Sequence, residues 1–235
     1  MAGRPADLLC LTAPKWFAIA SESPVSVSGV ASSDEWTWPT GIELTISATI
    51  QPVVQESVPG TVLPARCPDR HVQWDQTFCL GLSPPLVRDE ATAVAWWANL
   101  HQYLTCQSVA AETKLWPGKN ALDHGAKAGA LHLRALRLAA DLGIEDDYER
   151  THDGEPTWLN GRGLLRLGWT PRDHDFDPSA THRPRFKYRR RNTRKILALM
   201  VIERRRASEL DRYWREEKAK GTPCCQTMKG CPLAN

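Results

Sequence analysis

Cys79 is the residue whose surroundings in the sequence best suit covalent chemistry. His71 and Asp75 lie eight and four residues before it in "HVQWDQTFCLGL", and Thr77 lies two residues before it. A thiolate attacks acyl groups well when a base lies near or when its pKa is lowered. If this segment folds back as a loop, both side chains can reach Cys79, so the spacing predicts a cysteine nucleophile. The competing interpretation is a small buried cysteine beside Phe78 and Leu80.

Two other groupings of cysteine and histidine raise the question of a metal site. Cys67 and His71 have acceptable ligand spacing, and Cys79, Cys106 or His124 could complete a tetrahedral set. The C-terminal Cys224, Cys225 and Cys231 offer three thiols, whereas a structural zinc site needs four ligands. We predict no metal and no other cofactor, and whether either grouping binds metal stays open.

The periodicity of the chain predicts an α+β fold. Residues 7–64 carry alternating and β-branched residues with short turns between them, as in an antiparallel meander. After Pro84 and Pro85 the period changes, and helices are expected at about 89–114 and 125–142, the second closed by Gly143. Strands followed by helices favour an antiparallel sheet packed against helices. Trp96, Trp97 and Trp116 are expected in the core.

The C-terminal half divides by composition. Residues 145–182 are rich in Gly, Pro, Asp and Trp, which indicates an irregular segment. A basic segment from Arg185 leads into a long helix, with Asn192 as its predicted N-cap and Gly221 as its stop. An apolar stripe on this helix predicts that it packs against another element: Ile196, Leu199, Met200 and Ile202.

Charge is distributed unevenly along the chain. Residues 16–65 contain no Lys or Arg, whereas residues 183–206 contain eleven of them and one Glu. This basic segment predicts a contact surface for a protein partner, with nucleic acid as a less favoured partner. We assign partner binding to four arginines: Arg189, Arg190, Arg191 and Arg194. No apolar run is long enough to span a membrane, and the seven cysteines without an export signal predict a cytoplasmic protein.

The order of these motifs resembles the ubiquitin-conjugating enzyme family. In that family the active-site cysteine follows a His-Pro-Asn loop and a "DG-S/T-I/F-C-L" stretch, which "DQTFCL" at residues 75–80 matches except for Gln76 in place of Gly. The stretch "PARCPDRHVQWDQTFCLG" is similar to the prokaryotic branch, found in bacterial ubiquitin-like and antiphage conjugation operons. The later "WANLHQYL", "WPG" and "DHGAKA" also resemble that branch, and the likeness covers roughly residues 10–142.

The resemblance implies that Cys79 carries a ubiquitin-like protein as a thioester. The acyl group would come from an activating enzyme and pass to a lysine or other amine of a protein acceptor. Such chemistry needs stabilisation of the tetrahedral oxyanion and removal of a proton from the amine. Because the thioester is itself energy-rich, the resemblance implies no metal or nucleotide.

The chain departs from the family pattern where the His-Pro-Asn loop is expected. Asp69 follows Cys67-Pro68, and a carboxylate stabilises an oxyanion only when protonated, so Gln73 and His71 become the candidate donors. Thr77 and Asp69 are expected to support the loop. His124 is a second predicted site residue that could activate the amine; alternatively it marks a helix boundary, with Asp123 as the N-cap or as the carboxylate that orients a lysine.

These observations predict three segments. Residues 1–143 would form the conjugating domain, 144–184 an irregular extension, and 185–235 a basic helix with a cysteine-containing tail. Two alternative functions stay open: a non-catalytic cysteine-rich accessory protein, with or without zinc, and a basic nucleic-acid-binding module.

Overall fold

Four antiparallel strands form a sheet in the order of the sequence. The computed structural model describes residues 3–38, 40–81, 84–117, 123–152 and 193–234. The strands are β1 (Phe17–Ser23), β2 (Ser26–Ala31), β3 (Ile42–Ser47) and β4 (Val53–Glu56). Alternate residues of β3 are buried while those between them are more exposed, so one face of the sheet covers the core. The predicted antiparallel meander and α+β class are confirmed.

A helix that the sequence analysis missed precedes the sheet. Helix α1 (Pro5–Leu11) begins with proline at a position where its missing N–H costs nothing. The indole N–H of Trp97 donates to the Leu9 carbonyl oxygen at 3.1 Å, and Leu9 is fully buried. The prediction of strands from residue 7 was therefore wrong at its start, because burial of Leu8 and Leu9 on one helical face outweighs their compatibility with a strand.

Helix α2 (Glu90–Thr113) packs on the sheet and follows the predicted boundaries. Asp89 caps it by accepting the Thr92 N–H at 2.8 Å, and Lys114 ends it in the left-handed conformation. Trp96 and Trp97 are buried in the core, as predicted. The buried face of the helix runs through Ala93, Trp97 and Leu100, whereas Val94 is 54% exposed.

Three further helices form a second core. They are α3 (Ala126–Leu142), α4 (Glu145–His152) and α5 (Thr193–Ala219). Gly143 ends α3 as predicted, and Leu199 and Ile202 of α5 are buried with Ile196 packed beside them. The apolar stripe on α5 is thus confirmed. Residues 145–152 are helical, which corrects the start of the predicted irregular segment, and residues 153–182 and Asn192 lie outside the described residues.

The described residues separate into two compact units. Residues up to Trp116 pack together with Pro223 and the tail that follows it, and the residues between them form the second unit. The predicted three-segment division stays a proposal based on composition. Among the described helices, none combines the length and the hydrophobicity that a membrane-spanning segment requires.

Candidate active site

Cys79 lies at the end of a loop whose backbone is hydrogen-bonded on both sides. Its amide N–H donates to the His71 carbonyl oxygen at 2.8 Å. The preceding Phe78 donates its N–H to Val54 of β4, also at 2.8 Å, and forms a bridge with Val72. Cys79 itself is half-buried. The thiol therefore sits on a backbone fixed to the sheet but retains access to solvent.

A tight turn at residues 73–77 joins the two sides of this loop. The Gln73 N–H donates to the Thr77 carbonyl at 2.8 Å, and Gln76 adopts a positive φ of 70°. Asp75 Oδ1 accepts both the Thr77 hydroxyl at 2.7 Å and the Thr77 N–H at 3.2 Å. Gln73 Nε2 in turn donates to Thr77 Oγ1 at 3.1 Å. Three predicted site residues thus form one hydrogen-bonded group that closes the turn.

His71 contributes its backbone to the Cys79 contact and its ring to an aromatic contact. The residue adopts φ 54° after a short 3-10 turn at Pro68–Arg70. Its imidazole lies 4.7 Å from the Trp116 ring, measured between centroids. The structure therefore brings His71 and Cys79 together through main-chain atoms, while the ring packs beside a partly buried tryptophan.

Tyr103 of α2 contacts the same loop from the side of the helix. Its hydroxyl lies 3.2 Å from the Arg70 carbonyl and 3.3 Å from the His71 carbonyl, and its ring stacks on Phe78 at 4.9 Å. Burial raises the pKa of Tyr103 well above its ordinary value, so the phenol stays protonated and can donate. The loop carbonyls next to Cys79 thus have a buried donor.

Arg70 and Gln107 form the buried base of this support. Arg70 Nε donates to Gln107 Oε1 at 2.8 Å, and a second guanidinium nitrogen donates to the Gln107 carbonyl at 2.9 Å. Gln107 Nε2 returns a hydrogen bond to the Arg70 carbonyl at 2.5 Å. Burial lowers the pKa of Arg70. Because a guanidinium keeps its proton in proteins, this buried cation is held mainly by the amide side chain and the backbone carbonyl of Gln107.

Asn99 holds the other side of Cys79. Its Nδ2 donates to the carbonyl oxygen of Leu80 at 2.9 Å. Sequence reasoning missed Asn99, Tyr103, Arg70 and Gln107. In the sequence these four appear only as polar residues of α2 and of the loop. Nothing in their spacing indicated hydrogen bonds between residues 19 to 37 positions apart.

Trp74 projects from the tip of the 73–77 turn and is 77% exposed. Large exposed aromatic side chains are enriched where one protein contacts another. Trp74 lies only five residues from Cys79. The turn therefore presents an exposed apolar side chain shortly before the candidate nucleophile in the chain, which the sequence analysis did not single out.

His124 belongs to the second unit. Its ring lies 5.8 Å from Tyr213 and 5.0 Å from Trp214. The neighbouring Asp123 is not the N-cap of α3, which is Gly125 and carries no side-chain cap. Asp123 instead pairs with Arg206, because a largely buried carboxylate needs a charged partner.

Asp69 and Cys67 contact the cysteine-containing tail. Burial is the main cause, and a hydrogen bond with Asp69 the second, of a pKa of Cys231 that is raised to about 12. Cys67 Sγ lies 2.6 Å from Cys225 Sγ. Among the described residues, no three His, Cys, Asp or Glu side chains are arranged to hold a metal ion.

Of the arginines assigned to partner binding, Arg194 is exposed on α5, and Arg189, Arg190 and Arg191 lie outside the described residues.

The comparisons with known families agree with this geometry. A family model described as a prokaryotic E2 domain matches residues 16–118, which include the sheet, Cys79, α2 and Trp116. A second model, described as a cysteine-rich domain C-terminal to the E2 domain, matches residues 179–233. No curated protein and no solved structure is significantly similar to the chain. Residues 16–118 therefore form a prokaryotic E2 domain that a cysteine-rich domain follows, an arrangement consistent with a prokaryotic E2-like protein.

Proposed function

We propose that Cys79 accepts the C-terminal acyl group of a ubiquitin-like protein as a thioester and transfers it to an amine. The Cys79 thiolate attacks the thioester carbonyl on an activating enzyme, and the activating enzyme's thiolate leaves. An acceptor amine then attacks the new thioester, and the Cys79 thiolate is released as the amide forms. Acyl transfer through a cysteine requires an accessible thiol held in place.

One observation carries this proposal: a half-buried cysteine lies at the end of a braced loop within the E2 domain. Hydrogen bonds from Cys79 to His71 and from Asn99 to Leu80 fix the backbone immediately around the thiol. Positioning of this kind lowers the entropic part of the barrier. A cysteine that served only as core packing would not need such support on both sides.

For the oxyanion we favour Gln73. An amide side chain carries two N–H donors, of which the bond to Thr77 uses one. Asp69 is a poor candidate because it is a carboxylate and contacts the tail cysteine Cys231. Thr77 and Asp75 support the turn that carries Gln73. His71, Asp75 and His124 stay predictions for the removal of the amine proton.

The partners follow from the same proposal. An E2 domain implies contact with a ubiquitin-like protein and with an activating enzyme. We propose a protein acceptor, and a cytoplasmic bacterial conjugation or antiphage system as the setting. Trp74 and the exposed Arg194 are the described side chains that we assign to partner contact.

The proposal is tested by trapping the thioester directly. The purified chain is incubated with ubiquitin and with a Gly-Gly-ended peptide, each carrying a C-terminal mercaptoethanesulfonate thioester. We expect an adduct on Cys79 in peptide mapping, which hydroxylamine and dithiothreitol remove. The Cys79→Ser chain should form a more stable oxyester, and Cys79→Ala should form none.

Cys106→Ala is the matched control, since Cys106 is a buried cysteine on α2 outside the loop. It should form the same adduct as the unmodified chain. If Cys79→Ala forms the adduct at the same rate as the unmodified chain, or if the adduct maps to another cysteine, the enzyme proposal is contradicted and the accessory function is favoured.

A further inference from the structure

Cys67 and Cys225 are 158 positions apart in the chain, yet their sulfur atoms lie 2.6 Å from each other. A disulfide bond joins two sulfurs at about 2.05 Å. Both residues belong to the first compact unit, where Cys67 is buried and Cys225 is half-buried. Closure of a bond between them therefore needs a small local movement and no rearrangement of the fold.

The backbone on each side holds the two thiols in this position. Cys67 exchanges two hydrogen bonds with Val72, at 3.2 and 3.0 Å. On the tail, the Lys229 N–H donates to the Lys114 carbonyl at 2.8 Å, and Cys231 contacts Asp69. Backbone hydrogen bonds thus hold Cys67 in the loop before Cys79, and they hold the tail that carries Cys225 against the end of α2.

The two thiols are chemically unequal. Hydrogen bonds from Cys67 and from the Thr227 hydroxyl, which lies 3.1 Å from Cys225 Sγ, lower the pKa of Cys225 to about 5. The hydrogen bond with Cys225 and burial both raise the pKa of Cys67. These opposite directions favour the thiolate on Cys225 and the proton on Cys67, a division found in reactive dithiol pairs.

We propose that Cys67 and Cys225 form a reversible disulfide that fastens the cysteine-containing tail to the loop leading to Cys79. The oxidant is a low-molecular-weight disulfide, such as oxidised glutathione. The Cys225 thiolate attacks one of its sulfurs and releases a first small thiolate. Cys67 then loses its proton and attacks Cys225 Sγ, releasing the second. Two electrons pass to the small disulfide, which becomes two thiols, and a dithiol reductant reverses the sequence.

The disulfide would act on the candidate active site through two β-bridges between backbone segments. Cys67 pairs with Val72, and Val72 pairs with Phe78, the neighbour of Cys79. Oxidation would thus restrain the loop without using the Cys79 thiol. The inference goes beyond the proposed transfer reaction and does not depend on it.

The test uses the full chain equilibrated in buffers of defined reduced and oxidised glutathione. Free thiols are blocked with N-ethylmaleimide at acidic pH, and peptides are mapped without reduction. We expect a peptide that joins Cys67 to Cys225, lost after dithiothreitol, with five of the seven cysteines alkylated. Cys225→Ser and Cys67→Ser should lack it, whereas Cys224→Ser, the adjacent control, should retain it.

Three outcomes would overturn the proposal. Both thiols could be alkylated under conditions that oxidise a reference dithiol, Cys224→Ser could abolish the crosslink, or the purified chain could contain stoichiometric zinc released by Cys225→Ser. Because Cys225 is half-buried, its serine variant keeps the test valid if Cys67→Ser fails to fold. A Cys79→Ala chain that still forms the crosslink separates this result from the transfer function.

Discussion

Asn99 on α2 donates a hydrogen bond to the carbonyl of Leu80, the residue directly after Cys79. Asn99→Leu keeps the approximate volume but leaves this carbonyl without its donor, so we expect a loss of about 1 kcal/mol in the free energy of unfolding. The rate of thioester formation should fall further than stability alone explains. Urea unfolding and single-turnover adduct formation measure the two effects.

Gln102→Ala is the control for that change, since Gln102 is exposed one turn further along α2. It should leave the rate of adduct formation unaltered. Equal rates for Asn99→Leu and Gln102→Ala would mean that the Leu80 carbonyl needs no support.

Gln76 adopts φ 70°, a conformation that costs non-glycine residues energy. Gln76→Gly should raise the free energy of unfolding by up to about 1 kcal/mol, after the entropy that glycine adds to the unfolded chain is subtracted. Gln76→Val should lower it, because a β-branched residue tolerates this region poorly. Thermal and urea midpoints test both variants, and destabilisation by glycine would contradict the argument.

Gln107 accepts a hydrogen bond from the buried Arg70 through its side chain. Gln107→Leu would leave that guanidinium N–H without an acceptor, and we expect a loss of about 3 kcal/mol in the free energy of unfolding. The double variant Arg70→Met with Gln107→Leu should recover much of this loss, because the buried charge is removed together with its partner. Additive losses in this double-mutant cycle would show that the two residues are not coupled.

Trp74 is mostly exposed, so Trp74→Ala should leave the free energy of unfolding nearly unchanged. If the side chain contacts the activating enzyme or the ubiquitin-like donor, the KM for the donor should rise at least several-fold while kcat changes little. Val58→Ala removes another exposed apolar side chain and is the control. Equal KM values for the two variants would remove Trp74 from the contact surface.

His132 in α3 is buried, and burial lowers its pKa, with Asp123 opposing the shift and Arg206 adding to it. The unfolded chain therefore binds a proton near pH 6.5 that the folded chain does not, and stability is lost as the pH falls from about 7 towards 5. In His132→Gln this loss should be smaller. Hydrogen exchange of α3 amides across that pH range measures the difference, and identical pH dependence would contradict the assignment.

Local signals predicted the elements whose ends are decided by nearby residues. Asp89 and Gly143 mark the ends of helices because capping depends on atoms within one turn. The sequence grouped Asp75 and Thr77 in one loop, and the structure places them in one hydrogen-bonded turn because they are only two residues apart. What one short segment determines, the sequence predicted well.

The support of the loop could not be predicted because its partners are distant in the chain. Tyr103 and Gln107 read as ordinary helix residues until α2 is placed beneath Arg70. Nothing in the sequence indicated that the tail reaches the end of α2, where the Lys229 N–H donates to the Lys114 carbonyl oxygen. Helix α1 was missed because its core contacts are distant in the sequence, as in the hydrogen bond from the Trp97 indole to Leu9, 88 residues away.

The unit that contains Cys79 is discontinuous in the sequence, and this has a consequence during synthesis. The ribosome releases the whole of the second unit before residues 223–234 appear. Until then Lys114 lacks the Lys229 N–H, and Cys67 lacks its neighbour Cys225. Since domains of a growing chain fold as their residues emerge, a nascent chain can build the sheet, α2 and the turn before Cys79 early, but Cys67 and Asp69 must wait for the tail to gain their contacts with it.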